Sequence, residues 1–196
     1  MARRRKAGLC LRAVAGAASV LTAAGDNYDA KIYLAYTRRI VELMGGEGPG
    51  LDDVAQEIFD DWNQHHHFTL YEDVPLAVAW LQERGIKTGL ISNTARCLRT
   101  FQDHFELAGV FTVAVSSSAH GFMKPHPSIF KAALAQMGVG PTEAVMVGDS
   151  LLHDVIGARR AGMRGVLLAR GARARPSEPD FDVISSLAEL PALLSF

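Results

Sequence analysis

Cysteine is scarce in this chain. Cys10 and Cys97 are the two among 196 residues, far apart and in no metal-ligand spacing, which excludes a disulfide framework and a cysteine-built zinc site and fits a reducing compartment. Charge of one sign is lacking too. Lys and Arg total 20 against 21 Asp and Glu, for a formal net charge of −1, so nothing points to nucleic acid or an anionic membrane as a partner. No apolar run approaches the ~20 residues of a membrane-crossing helix. No glycine-rich phosphate loop follows a first strand, which ranks an unrelated nucleotide-binding α/β domain low. Internal repeats are absent. Acids are missing from the start of the chain, where Asp26 is the first.

What is present reads as one soluble globular domain with a small insert, since 48% of residues are hydrophobic and 21% charged. Such a length buries a sizeable core without staples. The cytoplasm is the default location. The basic N-terminus (Arg3, Arg4, Arg5, Lys6, Arg12), followed by the small-residue run Ala13 to Ala24, makes mitochondrial targeting the alternative. Arg12 interrupts the apolar part and argues against a secretory signal. Residues 1–25 are thus a degraded first strand, a targeting-like segment or an altered gene start.

Residues 26–70 have helical periodicity. Ile32, Tyr36, Ile40 and Leu43/Met44 form one stripe, stopped by Gly45-Gly46. Leu51, Val54, Ile58 and Trp62 form a second, with Asp52 and Asp53 in its first turn, where the helix dipole favours acids. From Tyr71 helix and strand alternate. Pro75 to Arg84 reads as a helix capped near Asp73 and stopped by Gly85, and Thr88 to Ile91 as a buried strand. Helices follow over Thr94 to Leu107, Pro127 to Met137 and His153 to Ala161. Strands follow over Phe111 to Val115, Ala144 to Val147, Val166 to Leu168 and Val183-Ile184. The Ser186/Glu189 spacing is that of a capping box before a last helix. The fold class expected is α/β: a Rossmann-like parallel sheet with helices on both faces, plus a small α-helical insert.

In such sheets ligands bind at the carboxyl ends of the strands. Those positions hold Ser92-Asn93, Ser116-Ser117-Ser118 and Gly148-Asp149-Ser150. Asp149, with Asp154 at the next helix start, offers a hard oxygen site suited to Mg²⁺, or else Asp149 simply caps the helix. Lys124, stiffened by Pro125 and Pro127, can neutralise phosphate charge; an exposed loop lysine is the plainer reading. Ser92 and Asn93 can hold a phosphoryl oxygen or form a polar turn. His65-His66-His67 reads as a solvated turn, because consecutive helical histidines point apart. Arg170, Arg173 and Arg175 suit an anionic substrate or a solvated loop.

Taken in order, these residues resemble the haloacid dehalogenase (HAD) phosphohydrolase superfamily. Leu90-Ile91-Ser92-Asn93 looks like its second motif and Lys124 in Lys-Pro-His-Pro-Ser-Ile-Phe like its third. Gly-Asp149-Ser-Leu-Leu-His-Asp154, followed by Ile-Gly-Ala-Arg-Arg-Ala-Gly-Met, looks like its fourth. The resemblance implies a helical cap over 26–70, a core over 71–196, and Mg²⁺-dependent hydrolysis of a small phosphorylated metabolite. It implies that Ser92 and Asn93 bind phosphate, Lys124 stabilises charge, Asp149 ligates the metal, and Asp154 supports the metal or Lys124. Oligomeric state stays open.

The superfamily's first motif, Asp-x-Asp-x-Thr, has no counterpart. The best alignment takes Arg12 to Ala15 as the first strand, setting Gly16 at the nucleophile and Ala18 at the acid/base position. Loss of that carboxylate also weakens the expected Mg²⁺ site. Two functions follow: a phosphohydrolase, or a pseudo-phosphatase that binds or regulates without turnover. Because the family's first strand is central, Leu11 to Ala15 is expected to fill its slot, its small side chains costing a few kcal/mol of packing.

Overall fold

The computed structural model describes residues 13–14, 16–21, 25–171 and 180–194, which divide into two compact units, Met1–His67 and Phe68–Phe196.

In the first unit, residues 13–14 and 16–21 are helical. This corrects the expected strand over Leu11 to Ala15 at the two of its residues described, Ala13 and Val14. Alanine is the strongest helix former, and the strand was expected from the resemblance rather than from local preference. Helix α1 (Ala30–Leu43) starts where the Asp29 side chain accepts a bond from Lys31 N at 2.9 Å, satisfying an orphan donor. Helix α2 (Leu51–Trp62) carries Asp52 and Asp53 in its first turn. Arg38 of α1 reaches across to Asp52 at 2.7 Å. The residue α2 buries is Ala55, whereas Val54, Ile58 and Trp62 of its apolar stripe are exposed. Two short helices have too little facing surface to cover both stripes. A tight turn, His65–His67, ends the unit.

The second unit opens with α3 (Asp73–Glu83), which Gly85 terminates at φ +65°. Asp73 lies inside the first turn rather than at the cap, and the helix N-cap, Glu72, makes no side-chain capping bond. Strand β1 (Gly89–Ser92) pairs in parallel with β2 (Val113–Ser116). Between them α4 spans Leu98–His104, shorter than the expected Thr94 to Leu107. Its start is set back because Cys97 is extended and Thr94 is buried, with its N–H donated to Ser117 Oγ at 3.0 Å. After β2 come the turn α5 (Ser117–His120) and α6 (Pro127–Met137), the latter where it was expected. Strand β3 (Val145–Gly148) leads into a wide helical turn, Leu151–Ile156, continued by α7 (Gly157–Arg160). Strands β4 (Arg164–Leu168) and β5 (Asp182–Ile184) follow, and β3, β4 and β5 form a parallel ladder. Ser186 and Glu189 make the predicted capping box, opening the turn Leu187–Glu189 ahead of α8 (Leu190–Leu193).

The sheet is therefore α/β and parallel, but in two pieces, β1-β2 and β3-β4-β5. Among the described residues no strand joins β1 to β3, the place the resemblance gives to a first strand. Side-chain packing bridges the break. Ile129, Phe130, Ala133 and Leu134 of α6 share one core cluster with Ile91 of β1, Val113 and Val115 of β2, and Met146 of β3. The three-stranded piece has apolar cover on both faces. Val166 and Ile184 pack with Ala77, Leu81 and Leu190, while Leu167 packs with Val155 and Phe181. This alternation along β4 is the two-period of a strand buried on both sides.

Candidate active site

The chemistry-bearing side chains of the second unit gather where β1 and β3 end. Ser92 closes β1 and lies opposite Ser116 in the ladder. Next in the chain, Asn93 turns its amide onto the backbone of Lys124. Lys124 N donates to Asn93 Oδ1 at 2.7 Å, and Asn93 Nδ2 donates to Lys124 O at 2.9 Å. The Asn93 amide is thus occupied at both ends and fixes the backbone of Lys124. The Lys124–Pro125 peptide bond is cis, and Pro127 occupies the first turn of α6 with His126 as its N-cap.

From that clamp Lys124 Nζ donates to Asp154 Oδ1 at 2.6 Å and to Ile91 O at 3.0 Å. The other carboxylate oxygen, Asp154 Oδ2, accepts from Ser150 N at 2.8 Å. The pair is buried: the Lys124 side chain is 12% exposed and that of Asp154 4%. A buried pair of this kind needs further hydrogen bonds on both partners, and Ile91 O on the lysine and Ser150 N on the acid supply them. Room for the Asp154 carboxylate comes from Gly148. A Cβ at that position would lie 2.6 Å from Asp154 Cβ and closer still to its carboxylate.

Asp149, one residue beyond β3, is exposed. Ser150 is the cap of the following turn, its Oγ accepting from His153 N at 3.2 Å, so helix capping falls to Ser150 rather than to Asp149. As a home for Mg²⁺ the donor set fits with one carboxylate. Mg²⁺ keeps several waters and is commonly held by one or two carboxylates plus substrate oxygens, which Asp149 can serve. Asp154, expected either to support the metal or to support Lys124, is buried with both oxygens engaged and so offers no second ligand in this arrangement, which favours bracing Lys124. Among the described residues the one group of three metal-ligating side chains lies elsewhere, at Asp61, His66 and His67.

Two supports were not singled out by motif. Ser117, fully buried, receives the Thr94 N–H and so ties the exit of β1 to that of β2. The Ser116-Ser117-Ser118 run at a strand end was the available signal. Asp73 accepts from Arg170 Nη2 at 2.8 Å, Ser186 Oγ at 2.7 Å and Leu187 N at 2.8 Å. The Arg170 bond, seconded by Ser186 and Leu187, holds its carboxyl down at about 2. Arg170, also 4.0 Å over the Tyr71 ring, is thereby committed to structure rather than to an anionic substrate. Arg173 and Arg175 lie outside the described residues. Gly16 and Ala18, aligned with the family's two aspartates, are helical residues of the first unit.

A family model described as haloacid dehalogenase-like hydrolase matches residues 9–162. The chain is 33% identical over 146 residues to a phosphoserine phosphatase of Thermus thermophilus, covering 73% of this chain and 56% of that protein. It is 32% identical over 169 residues to a phosphoglycolate phosphatase of Nitrosococcus oceani, covering 81% of this chain and 73% of that one. The chain thus spans little more than half the length of the first of these relatives. A HAD phosphatase crystal structure from Thermococcus onnurineus superposes with a TM-score of 0.67 at 28% identity, covering 82% of this chain and 80% of that one. Among the described residues no helix is long and apolar enough to cross a membrane.

Proposed function

The chain belongs to the haloacid dehalogenase-like hydrolases, and from that membership we propose that it is a Mg²⁺-dependent phosphohydrolase acting on a small phosphorylated metabolite. The observation that carries this reading is the Lys124–Asp154 pair, buried and fixed by Asn93 at the ends of β1 and β3. A lysine so held is a preorganised cation, and its charge costs no reorganisation when a phosphoryl group arrives. Ser92 donates its hydroxyl to a phosphoryl oxygen from the end of β1. Asn93 positions Lys124. Asp149 holds Mg²⁺, which when bound supplies neutralising charge to the phosphoryl oxygens. Asp154 holds and aims the Lys124 ammonium. The names of the two relatives, phosphoserine and phosphoglycolate phosphatase, support a small phosphorylated substrate.

One observation favours a second reading, phosphate binding without turnover. Gly16 and Ala18 carry no carboxylate, and both lie in a helix. An aspartyl-phosphate cannot form on either, and loss of a nucleophile removes most of the rate while binding and electrostatics leave a remnant.

Phosphate release from an aryl phosphate, measured with Mg²⁺, with EDTA and with Asp149→Ala, tests the first reading. Turnover that both controls abolish establishes the hydrolase. Absence of turnover, together with vanadate or phosphate binding that Lys124→Met abolishes, establishes the binding module. Neither turnover nor binding refutes the site.

A further inference from the structure

The first unit contains a cluster that the phosphate chemistry does not use. Asp61 projects from the last turn of α2, and His66 and His67 come from the tight turn that follows. Their ligand atoms all lie within 4.8 Å of one another. His67 Nε2 is 2.8 Å from Asp61 Oδ2, and His66 Nε2 is 4.0 Å from Asp61 Oδ1. The two imidazole rings are neighbours, with centroids 4.0 Å apart and planes tilted by 43°. The short turn does what a regular helix would not, bringing neighbouring histidines to one side. The exposed turn is as expected; what differs is that His66 and His67 lie side by side rather than pointing apart.

We propose that Asp61, His66 and His67 bind a divalent first-row transition ion of the zinc class. Three arguments support this. Two imidazoles and one carboxylate form a borderline donor set that suits zinc and its neighbours and is poor for Mg²⁺. The spacing is close as well: ligands about 2.05 Å from a tetrahedral zinc stand roughly 3.3 Å apart, and the 2.8 Å from His67 Nε2 to Asp61 Oδ2 and 4.0 Å from His66 Nε2 to Asp61 Oδ1 lie on either side of that value. Thirdly, Asp53, Glu57 and Asp60 line the groove that Asp61 borders, so the surroundings attract a cation and offset the charge it brings. Trp62 stacks on the His67 ring at 6.4 Å and restricts its swing. With three protein ligands the ion keeps an open position, filled by water. On binding, the metal replaces the hydrogen bond that His67 Nε2 now makes with Asp61 Oδ2.

Co²⁺ titration of the untagged full chain, followed by visible d–d absorption, tests the site, with Asp61→Asn, His67→Ala, His65→Ala and Asp149→Asn run in parallel. The expected result is saturable one-to-one binding, weakened more than about tenfold in Asp61→Asn and His67→Ala and unchanged in His65→Ala and Asp149→Asn. As a measurement free of variants, Zn²⁺ added to the wild-type chain should shift the His66 and His67 imidazole NMR resonances and leave those of His104 and His153 in place. Failure to saturate, affinity unchanged in Asp61→Asn, or binding lost in Asp149→Asn would overturn the proposal.

Discussion

The Asp154 carboxylate fills the space that a side chain at Gly148 would need, so the last residue of β3 and the buried acid of the following turn exclude one another. Neither can change without the other. Gly148→Ala must therefore displace Asp154 and uncouple Lys124. A loss of about 3 kcal/mol is expected, in the range for breaking a buried ion pair. Urea denaturation would show it, and a variant within 0.5 kcal/mol of the parent, on the order of ordinary surface substitutions, would contradict the packing described.

Removing one member of the buried pair should cost more than removing both. Asp154→Leu leaves an uncompensated ammonium and should lose about 3–5 kcal/mol, whereas the Lys124→Met/Asp154→Leu double variant should recover most of it. A double-mutant cycle measures this. Additive losses would mean that the two charges are not coupled.

Acid stability should depend on Asp73. Its carboxyl is held at about 2, first by Arg170 and then by Ser186 and Leu187, against an ordinary value of 3.8. A depressed carboxylate stabilises the fold fully above its unfolded-state value and ceases to do so as the pH falls through the folded one. The contribution is thus present above about pH 4 and lost toward pH 2. Asp73→Asn should lower stability at neutral pH by about 1–3 kcal/mol and flatten the decline between those limits. Unfolding free energy measured across that range checks the sign, and an equally steep decline in the variant would assign the acid sensitivity elsewhere.

Gly165 of β4 faces the backbone of Val155. A Cβ there would stand 2.8 Å from Val155 O and 2.9 Å from Val155 Cα, and backbone atoms cannot rotate away. Gly165→Ala should cost about 2–3 kcal/mol, as overpacking does, and lower the melting temperature. A neutral substitution would show that the strand and the helical turn over it can part.

Legibility in the sequence followed the range of the forces. Helix α6 was readable to its ends because its signals are local: Pro127 at the start and Gly138, at φ +67°, as the stop. Strands β3 and β4 stood out as apolar runs beside turn residues, and candidate site residues could be read after strands, Ser92 closing β1 and Asp149 following β3. The errors fell where the partner is remote. Asp73 resembled a cap, yet its partners Arg170 and Ser186 are 97 and 113 residues away. The set-back start of α4 depends on Ser117, 23 residues beyond Thr94. The commitment of the Asn93 amide to Lys124, 31 residues away, likewise shows only on folding. The expected strand at Leu11 to Ala15 came from the family pattern, against an alanine-rich stretch that prefers helix.

The position of Lys124 has a mechanical side. Its ammonium grips a carbonyl of β1 on one hand and, on the other, the acid of the turn that follows β3. One cation thus rivets two sheets that no backbone ladder connects among the described residues. A guest phosphate competes for that same cation, so tight ligand capture and cohesion of the sheet pieces draw on one charge. A ligand that pulls Lys124 away should slacken the β1 end of the molecule, whereas one that leaves the rivet in place should stiffen both halves together.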